Sequence, residues 1–267
     1  MTGPGTPAVW DAGEAYEPYV GRWSRKVARE FLSWLAVPTE SRWLDVGCGT
    51  GALSAIILER CSPAELVGVD SSEGFVAYAR ARVTDARARF AQGDALALPG
   101  DLADFNAAVA GLVLNFLPDP ILALREMRRV VRPGGLVGVY VWDYADGMAM
   151  MRHFWDAAAT IDPSAREFDE GQRFNVTASP TGLTQTFQDA ELRDVTVQAI
   201  TVPTVFQDFD DYWTPFLGGQ GAAPTYVMRL DVSRRNRIRD HLRSMPPLAS
   251  DGTIALSARA WAARGVR

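Results

Sequence analysis

Short apolar runs alternate with amphipathic segments over the first half of the chain. The apolar runs predict buried strands, and the segments between them repeat apolar positions every three or four residues, which predicts helices. The predicted strands are Arg42–Val46, Glu65–Asp70, Arg89–Gln92, Phe105–Leu114 and Leu136–Trp142. The predicted helices are Arg22–Ala36, Ala52–Arg60, Gly74–Val83 and Ile121–Val131. This alternation predicts a parallel sheet with helices on both faces.

The pattern changes after Trp142. A turn is predicted just before the fifth strand, at the Pro-Gly-Gly of 133–135, and the stretch 162–179 is irregular. The further predicted elements are helices at Met148–Ile161, Pro180–Ala190 and Thr225–Leu242, a strand at Arg193–Phe206 that Pro203 interrupts, and a last strand at Gly252–Trp261. This part is rich in Met and aromatic residues, which suit either the wall of an apolar pocket or the packing of extra helices on the sheet.

Composition narrows the class of protein. The chain has 267 residues, of which 48% are hydrophobic, and a formal net charge of −5. These values are typical of a globular protein and argue against a nucleic-acid partner bound through a basic surface. The longest apolar run is too short to span a bilayer, and the N-terminal residues lack the pattern of a secretory signal, so we expect a cytoplasmic protein without a membrane partner. Two cysteines and two histidines argue against a Cys/His metal site.

A glycine-rich loop, Gly47-Cys48-Gly49-Thr50-Gly51, joins the first predicted strand to a helix. Glycines let such a loop turn sharply and bring its amides close to a ligand, and the helix that follows presents free N–H groups. Asp70 stands at the end of the second strand, where a carboxylate accepts hydrogen bonds from both hydroxyls of a ribose. Together these features predict a nucleoside site at the carboxyl edge of the sheet.

Two ligands fit such a site. Gly47-x-Gly49-x-x-Ala52 matches the dinucleotide fingerprint, which favours NAD. Asp45, however, stands where dinucleotide sites usually have an apolar residue. The string LDVGCGTG at 44–51 instead resembles the first motif of the class I S-adenosylmethionine-dependent methyltransferases of the small-molecule type. Three later segments agree with that family in order and spacing: VGVDSS at 67–72, GDALALP at 93–99 and RRVVRPGG at 128–135.

The resemblance covers about residues 14–143 and implies S-adenosylmethionine as the cofactor. It also implies a Rossmann-like α/β fold: a seven-stranded, mostly parallel sheet of order 3-2-1-4-5-7-6, with an antiparallel last strand and helices on both faces. The implied cofactor-binding residues are Asp45, Gly47, Cys48, Gly49, Thr50 and Gly51 at the loop, Asp70 and Ser71 at the ribose, Asp94, Ala95 and Leu96 at the adenine, and Gly111, Leu112 and Asn115 near the methionine and the acceptor. Tyr16, Arg22 and Trp23 resemble an N-terminal lid, in which Arg22 would pair with the cofactor carboxylate.

No motif identifies the methyl acceptor. The segment after the fourth strand, Asn115-Phe116-Leu117-Pro118, lacks the NPPY or DPPY sequence of amino-group DNA methyltransferases. We therefore expect a small-molecule acceptor, with an oxygen, nitrogen or carbon atom as the acceptor atom. His153 is the candidate general base, because an imidazole titrates near neutrality, with Asp143 or Tyr144 behind it.

We expect one domain in three parts: an N-terminal lid and helix at 1–36, a cofactor-binding core at 37–143, and a part at 144–267 that completes the sheet and inserts cap helices over the substrate. The protein would be a monomer or a homodimer. Three alternatives remain: an NAD-dependent oxidoreductase, a non-catalytic cofactor-binding protein on the same fold, and a methyltransferase that acts on protein or RNA.

Overall fold

The computed structural model describes residues 21–174, 177–218 and 221–267. A seven-stranded sheet of order β3-β2-β1-β4-β5-β7-β6 lies at its centre. The strands are β1 (Arg42–Val46), β2 (Glu65–Asp70), β3 (Ala88–Gln92), β4 (Phe105–Gly111), β5 (Val131–Trp142), β6 (Arg193–Phe206) and β7 (Ile254–Val266). The first five are parallel, whereas β7 runs antiparallel to both β5 and β6. The predicted fold class and strand order are confirmed.

Helices pack around the sheet, and side-chain caps fix where several of them begin. They are α1 (Arg22–Leu35), α2 (Ala52–Arg60), α3 (Glu73–Arg82), α4 (Pro120–Val130), α5 (Ala149–Ile161), α6 (Glu170–Arg173), α7 (Pro180–Asp189), α8 (Phe209–Trp213), α9 (Ala222–Arg229) and α10 (Val232–Leu242). At the start of α3 the Ser72 hydroxyl accepts a hydrogen bond from the Phe75 N–H. The Asp119 carboxylate accepts one from the Leu122 N–H at the start of α4. Such caps satisfy backbone donors that have no partner inside the helix.

The central strands are apolar because both faces of the sheet are covered. Leu44, Val67, Val109 and Val139 lie on β1, β2, β4 and β5, and each is fully buried. This packing holds the carboxyl ends of four neighbouring strands in a fixed order, β2-β1-β4-β5, along one edge of the sheet. That edge carries the site described below.

The helix predicted at Thr225–Leu242 is in fact two helices, α9 and α10. Leu230 ends α9 with an extended backbone, and the Asp231 carboxylate caps α10 by accepting a hydrogen bond from the Arg234 N–H. An aspartate inside an apparently continuous helical pattern therefore marks a new N-terminus.

Two further predictions are corrected in the strands. The predicted turn at 133–135 lies inside β5, where the register with β4 shifts and the strand bulges. Pro203 does not interrupt β6, because it pairs in register with Ser257 of β7. Proline is tolerated there because β6 is an edge strand with one neighbour.

Along the described ranges, no helix combines the length and the apolar character that crossing a bilayer requires.

Candidate functional site

A cavity of about 510 Å³ lies where the carboxyl ends of β1, β2, β4 and β5 meet the segments that follow β5. We call its two ends the glycine-loop end and the cap end. The glycine-loop end is lined by Asp45, Gly47, Cys48, Gly49, Thr50, Ala52, Leu53, Asp70, Ser71 and Phe75. The cap end is lined by Tyr144, Met151, Glu170, Arg173, Phe174, Gly221 and Ala222. Between them lie Ser24, Gly111, Leu112, Val113, Asn115, Phe116, Leu117, Tyr140 and Trp142.

Gly47 and Gly49 are needed in the loop for different structural reasons. Gly47 and Gly49 both have positive φ, +69° and +53°, a region that favours glycine. A Cβ atom at Gly47 would lie 2.6 Å from Val113 Cγ2, whereas one at Gly49 would meet nothing within 4 Å. Packing therefore requires glycine at 47, and glycine at 49 leaves open space at the cavity wall for a ligand.

Asp70 holds the loop and faces the cavity. Its Oδ2 accepts a hydrogen bond from the Gly49 N–H at 2.9 Å, and its Oδ1 accepts one from the Ser72 N–H at 2.9 Å. An ionised carboxylate has about four acceptor positions. Asp70 therefore keeps the capacity to accept hydrogen bonds from two ligand hydroxyls while it fixes the loop.

Asp45 lies beneath the same loop and is only 1% exposed. The Ser54 hydroxyl donates to its Oδ2 at 2.6 Å, which ties the end of β1 to α2. Burial raises the pKa of Asp45 to about 7; the bond from Ser54 opposes this shift and the nearby Asp70 adds to it. Burial also raises the pKa of the Cys48 thiol far above neutrality, so Cys48 is not an activated nucleophile.

The cap end holds a buried carboxyl of its own. Glu170 begins α6 and is 5% exposed, and the Trp155 Nε1–H donates to its Oε2 at 2.7 Å. Burial raises the pKa of Glu170 to about 7; Asp169 raises it further, and the Trp155 bond and the Arg152 charge lower it. Arg152 donates through both terminal nitrogens to Asp169, with 2.9 Å between Nη1 and Oδ2.

Asn115 lies between the two ends and is 6% exposed. Neither its Nδ2 nor its Oδ1 has a hydrogen-bond partner among the described residues. A buried amide left unpaired is costly, and native structures rarely keep one without a reason. Its place on the cavity wall would let a bound ligand supply the missing partner.

Many of the residues predicted for the site come together here. Those that line the cavity are Asp45, Gly47, Cys48, Gly49, Thr50, Asp70, Ser71, Gly111, Leu112 and Asn115. Gly51 lies at the loop's exit into α2 with φ +81°. Three predicted residues that follow β3 are not among those that line the cavity: Asp94, Ala95 and Leu96. The exposed Asp94 accepts a hydrogen bond from the Leu96 N–H at 2.8 Å. Their roles stay predictions.

Two residues of the predicted lid, Arg22 and Trp23, and the predicted base His153 are not among the residues that line the cavity. Arg22 Nη1 pairs with Asp211 Oδ1 at 2.9 Å, and the Arg22 guanidinium stacks over the Trp23 ring. Neither residue belongs to the described lining, and Tyr16 lies outside the described residues. His153 is half-buried on α5 and is also absent from the described lining; burial lowers its pKa. These roles likewise stay predictions.

Sequence reasoning missed Glu170. The stretch 162–179, predicted to be irregular, contains a 3₁₀ turn at Pro163–Phe168 and then α6. One weak signal was present: the acidic pair Asp169-Glu170 is flanked by Phe168 and Phe174, which are residue types that line apolar pockets.

Comparisons with known proteins agree with this geometry. Residues 44–139 match the family model described as a methyltransferase domain. The demethylmenaquinone methyltransferase of Staphylococcus carnosus is 32% identical over 116 residues, which are 43% of this chain and 46% of that protein. The chain thus matches about half the length of its curated relatives.

Two solved structures share the architecture. The YcgJ protein from Bacillus subtilis has a TM-score of 0.58 at 18% identity, over 92% of this chain and 98% of that one. Phosphoethanolamine N-methyltransferase 2 of Haemonchus contortus, solved with S-adenosylmethionine, has a TM-score of 0.58 at 15% identity, over 94% of this chain and 57% of that one. At these identities they show the fold alone.

The strand order, the glycine loop and the matched segment define a Rossmann-like methyltransferase domain. The match of residues 44–139 and the strand order support a class I S-adenosylmethionine-dependent methyltransferase.

Proposed function

We propose that this protein transfers a methyl group from S-adenosylmethionine to a small molecule held at the cap end of the cavity. The observation that carries the proposal is the continuity of the cavity. A single space of about 510 Å³ joins a glycine loop and a strand-end acid to an aromatic wall. That volume lies in the range of small-molecule sites.

The glycine-loop end fits the cofactor. Gly49 leaves space where a Cβ atom would stand, which suits the methionine part, and Asp70 has acceptor positions for the ribose hydroxyls. Ser71 lines the wall beside Asp70. Asp94 would accept a hydrogen bond from the adenine amino group. When bound, S-adenosylmethionine supplies a methyl group already activated by the sulfonium.

The rest of the cavity orients the acceptor and excludes water. Trp142, Tyr144, Met151 and Phe174 give this region apolar and aromatic walls. A desolvated acceptor held in line with the methyl group gains much of its rate from position alone. The relatives also support a small-molecule acceptor, because the curated proteins that the chain matches are demethylmenaquinone methyltransferases.

Calorimetric titration with S-adenosylmethionine and with NAD tests the proposal. The wild-type protein should bind S-adenosylmethionine in the micromolar range and should not bind NAD. Asp70→Ala should weaken S-adenosylmethionine binding by about 100-fold, because the loop loses its anchor and the ribose loses its acceptor.

The matched control is Glu73→Gln, three residues along the chain on the exposed face of α3. It removes one negative charge close to the site without touching the loop, so its affinity should equal that of the wild type. Binding of NAD in preference to S-adenosylmethionine would refute the proposal.

A further inference from the structure

A carboxyl group is buried in the aromatic part of the cavity, away from the cofactor's contacts. Glu170 lies on the cavity wall with Tyr144, Met151 and Phe174. It is 5% exposed, and one of its oxygens is bonded to Trp155. A carboxyl in an apolar pocket is costly to keep ionised, so a structure that retains one there indicates a specific use.

The strand order separates the part of the cavity that contains Glu170 from the nucleoside site at Asp70. Asp70 ends β2, whereas Trp142 and Tyr144 end and follow β5, with β1 and β4 between them. Three steps between neighbouring strands span about 14 Å. A cofactor anchored at Asp70 therefore leaves Glu170 facing the acceptor, and the unpaired Asn115 amide lies on the wall between the two.

The charged groups around Glu170 argue against a cationic acceptor. Asp169 on the same segment is neutralised by Arg152 of α5, which bonds it through both terminal nitrogens. Arg173, at the other end of α6, adds a positive charge to the cavity wall. The sulfonium of the cofactor would add another. The cap end therefore has no excess negative charge to hold an ammonium group.

Two tyrosines lie close to Glu170 or to its partner Trp155. Tyr226 of α9 packs against Trp155, with ring centroids 5.6 Å apart and 54° between the ring planes, and its hydroxyl donates to Asp162 rather than to the cavity. Tyr144 contributes its ring to the wall. Flat aromatic walls with one carboxyl and one amide suit a planar molecule that carries a hydroxyl.

We propose that Glu170 is the general base of this enzyme, and that it accepts the proton of an aromatic hydroxyl acceptor bound at the cap end; the proposal rests on the methyl transfer proposed above. The acceptor oxygen forms a bond to the methyl carbon while the bond from that carbon to sulfur breaks. The electron pair of the broken bond stays on sulfur. The hydroxyl proton passes to the Glu170 carboxylate and then to solvent.

The proton affinities of the two groups suit this task. A phenolic hydroxyl has a pKa of about 10, as tyrosine does. Burial raises the pKa of Glu170 to about 7, so the carboxylate is available near neutral pH and is a stronger base than an exposed one. Bases tuned in this way typically accelerate proton transfer by about 10²- to 10⁴-fold.

A binding experiment tests the assignment without methyl transfer. The probe is 2-naphthol, compared with 2-methoxynaphthalene, which lacks the hydroxyl hydrogen. In calorimetric titrations, affinity of the wild type for 2-naphthol should rise about tenfold from pH 6 to pH 8, because a group with a pKa of about 7 ionises in this interval. Affinity for 2-methoxynaphthalene should stay level or fall. In Glu170→Gln, neither affinity should depend on pH in this interval.

A kinetic experiment tests the chemical step. With S-adenosylmethionine and 2-naphthol, kcat/KM for formation of the methyl ether should rise through about pH 7 in the wild type. Glu170→Gln should lower it at least 100-fold and abolish that rise, while the Kd for S-adenosylmethionine stays within twofold. Glu167→Gln, an exposed glutamate three residues earlier, is the matched control and should match the wild type.

A second variant keeps the test decisive if Glu170→Gln folds poorly. Trp155→Phe removes the hydrogen bond that favours ionised Glu170, so the midpoint of the pH profile should move to higher pH. A purely structural role for Glu170 would not move that midpoint.

Failure of the wild type to bind 2-naphthol, or an unchanged pH profile in Glu170→Gln, would overturn the assignment. Failure to bind S-adenosylmethionine would instead count against the proposed function. The two failures can be distinguished because the 2-naphthol titration contains no S-adenosylmethionine.

Discussion

The two ends of the cavity are built by different means. The glycine-loop end consists mostly of backbone, held by positive φ angles and by hydrogen bonds from Gly49 and Ser72 to Asp70. The cap end consists of side chains from separate segments, held by the Arg152–Asp169 ion pair and the bond from Trp155 to Glu170. The first arrangement depends on backbone amides, which suits a nucleoside bound at a helix N-terminus. The second depends on side-chain contacts between separate segments, so we expect it to change without disturbing the loop.

The largest expected effect is at the cap end. Asp169→Ala should cost about 3–5 kcal/mol of unfolding free energy, because it leaves the largely buried Arg152 charge without its partner. It also removes the acceptor for the Gly171 N–H at the start of α6. Urea denaturation measures this loss.

If the two ends are separable, S-adenosylmethionine affinity of Asp169→Ala should remain within threefold of the wild-type value. Asp240→Ala is the control, because Asp240 pairs with Arg239 at the surface and such pairs contribute at most about 1 kcal/mol. A parallel collapse of cofactor affinity in Asp169→Ala would show that the ends form one unit.

The next largest effect is at the glycine loop. Gly47→Ala should destabilise the protein by about 2–3 kcal/mol, through a Cβ clash with Val113 at 2.6 Å and an unfavourable φ. Gly49→Ala has the φ penalty without the clash, so it should cost about 1 kcal/mol and chiefly weaken S-adenosylmethionine binding. Thermal unfolding and calorimetry measure the two quantities.

Gly100→Ala is the control for both glycine variants, because its Cβ would meet nothing within 4 Å and its φ is not in the positive range. Equal losses in Gly47→Ala and Gly100→Ala would contradict the steric explanation.

The glycine-loop end could be predicted from sequence because its geometry depends on contiguous residues. A strand, three glycines and an acid at the end of the next strand are enough to place Gly47, Gly49 and Asp70 on one edge. Glu170 depends instead on a contact with Trp155, 15 residues earlier, and on a helix of four residues that has no periodicity to detect. The split between α9 and α10 escaped prediction for a similar reason: one cap at Asp231 outweighed an otherwise helical pattern.

The two buried carboxyls, Glu170 and Asp45, should each make the free energy of unfolding depend on pH. The folded-state pKa of Glu170 is about 7, above the ordinary value of 4.5. The stability linked to this group is fully present below pH 4.5 and is lost as the pH rises through about 7. Glu170→Gln removes this loss, so its stability relative to the wild type should increase by up to about 3 kcal/mol between pH 5 and pH 8.

Asp45→Asn should show the same sign, because burial likewise raises the Asp45 pKa to about 7. Urea denaturation at several pH values measures both variants. A difference between Glu170→Gln and the wild type that does not change with pH would contradict the burial of an ionisable Glu170.

The smallest expected effect is at Asn115, between the two ends. Its side-chain amide has no partner among the described residues, so Asn115→Leu should stabilise the ligand-free protein by about 1 kcal/mol. The same change should weaken binding of S-adenosylmethionine or 2-naphthol up to about tenfold, since one ligand hydrogen bond is lost. Asn106→Leu is the matched control: the Asn106 Oδ1 accepts a hydrogen bond from the Arg42 N–H at 2.9 Å, so this variant should be destabilised. If Asn115→Leu loses affinity for S-adenosylmethionine, Asn115 belongs to the glycine-loop end; if it loses affinity for 2-naphthol, Asn115 belongs to the cap end. A loss of stability in the ligand-free protein would contradict the view that the Asn115 amide is unpaired until a ligand binds.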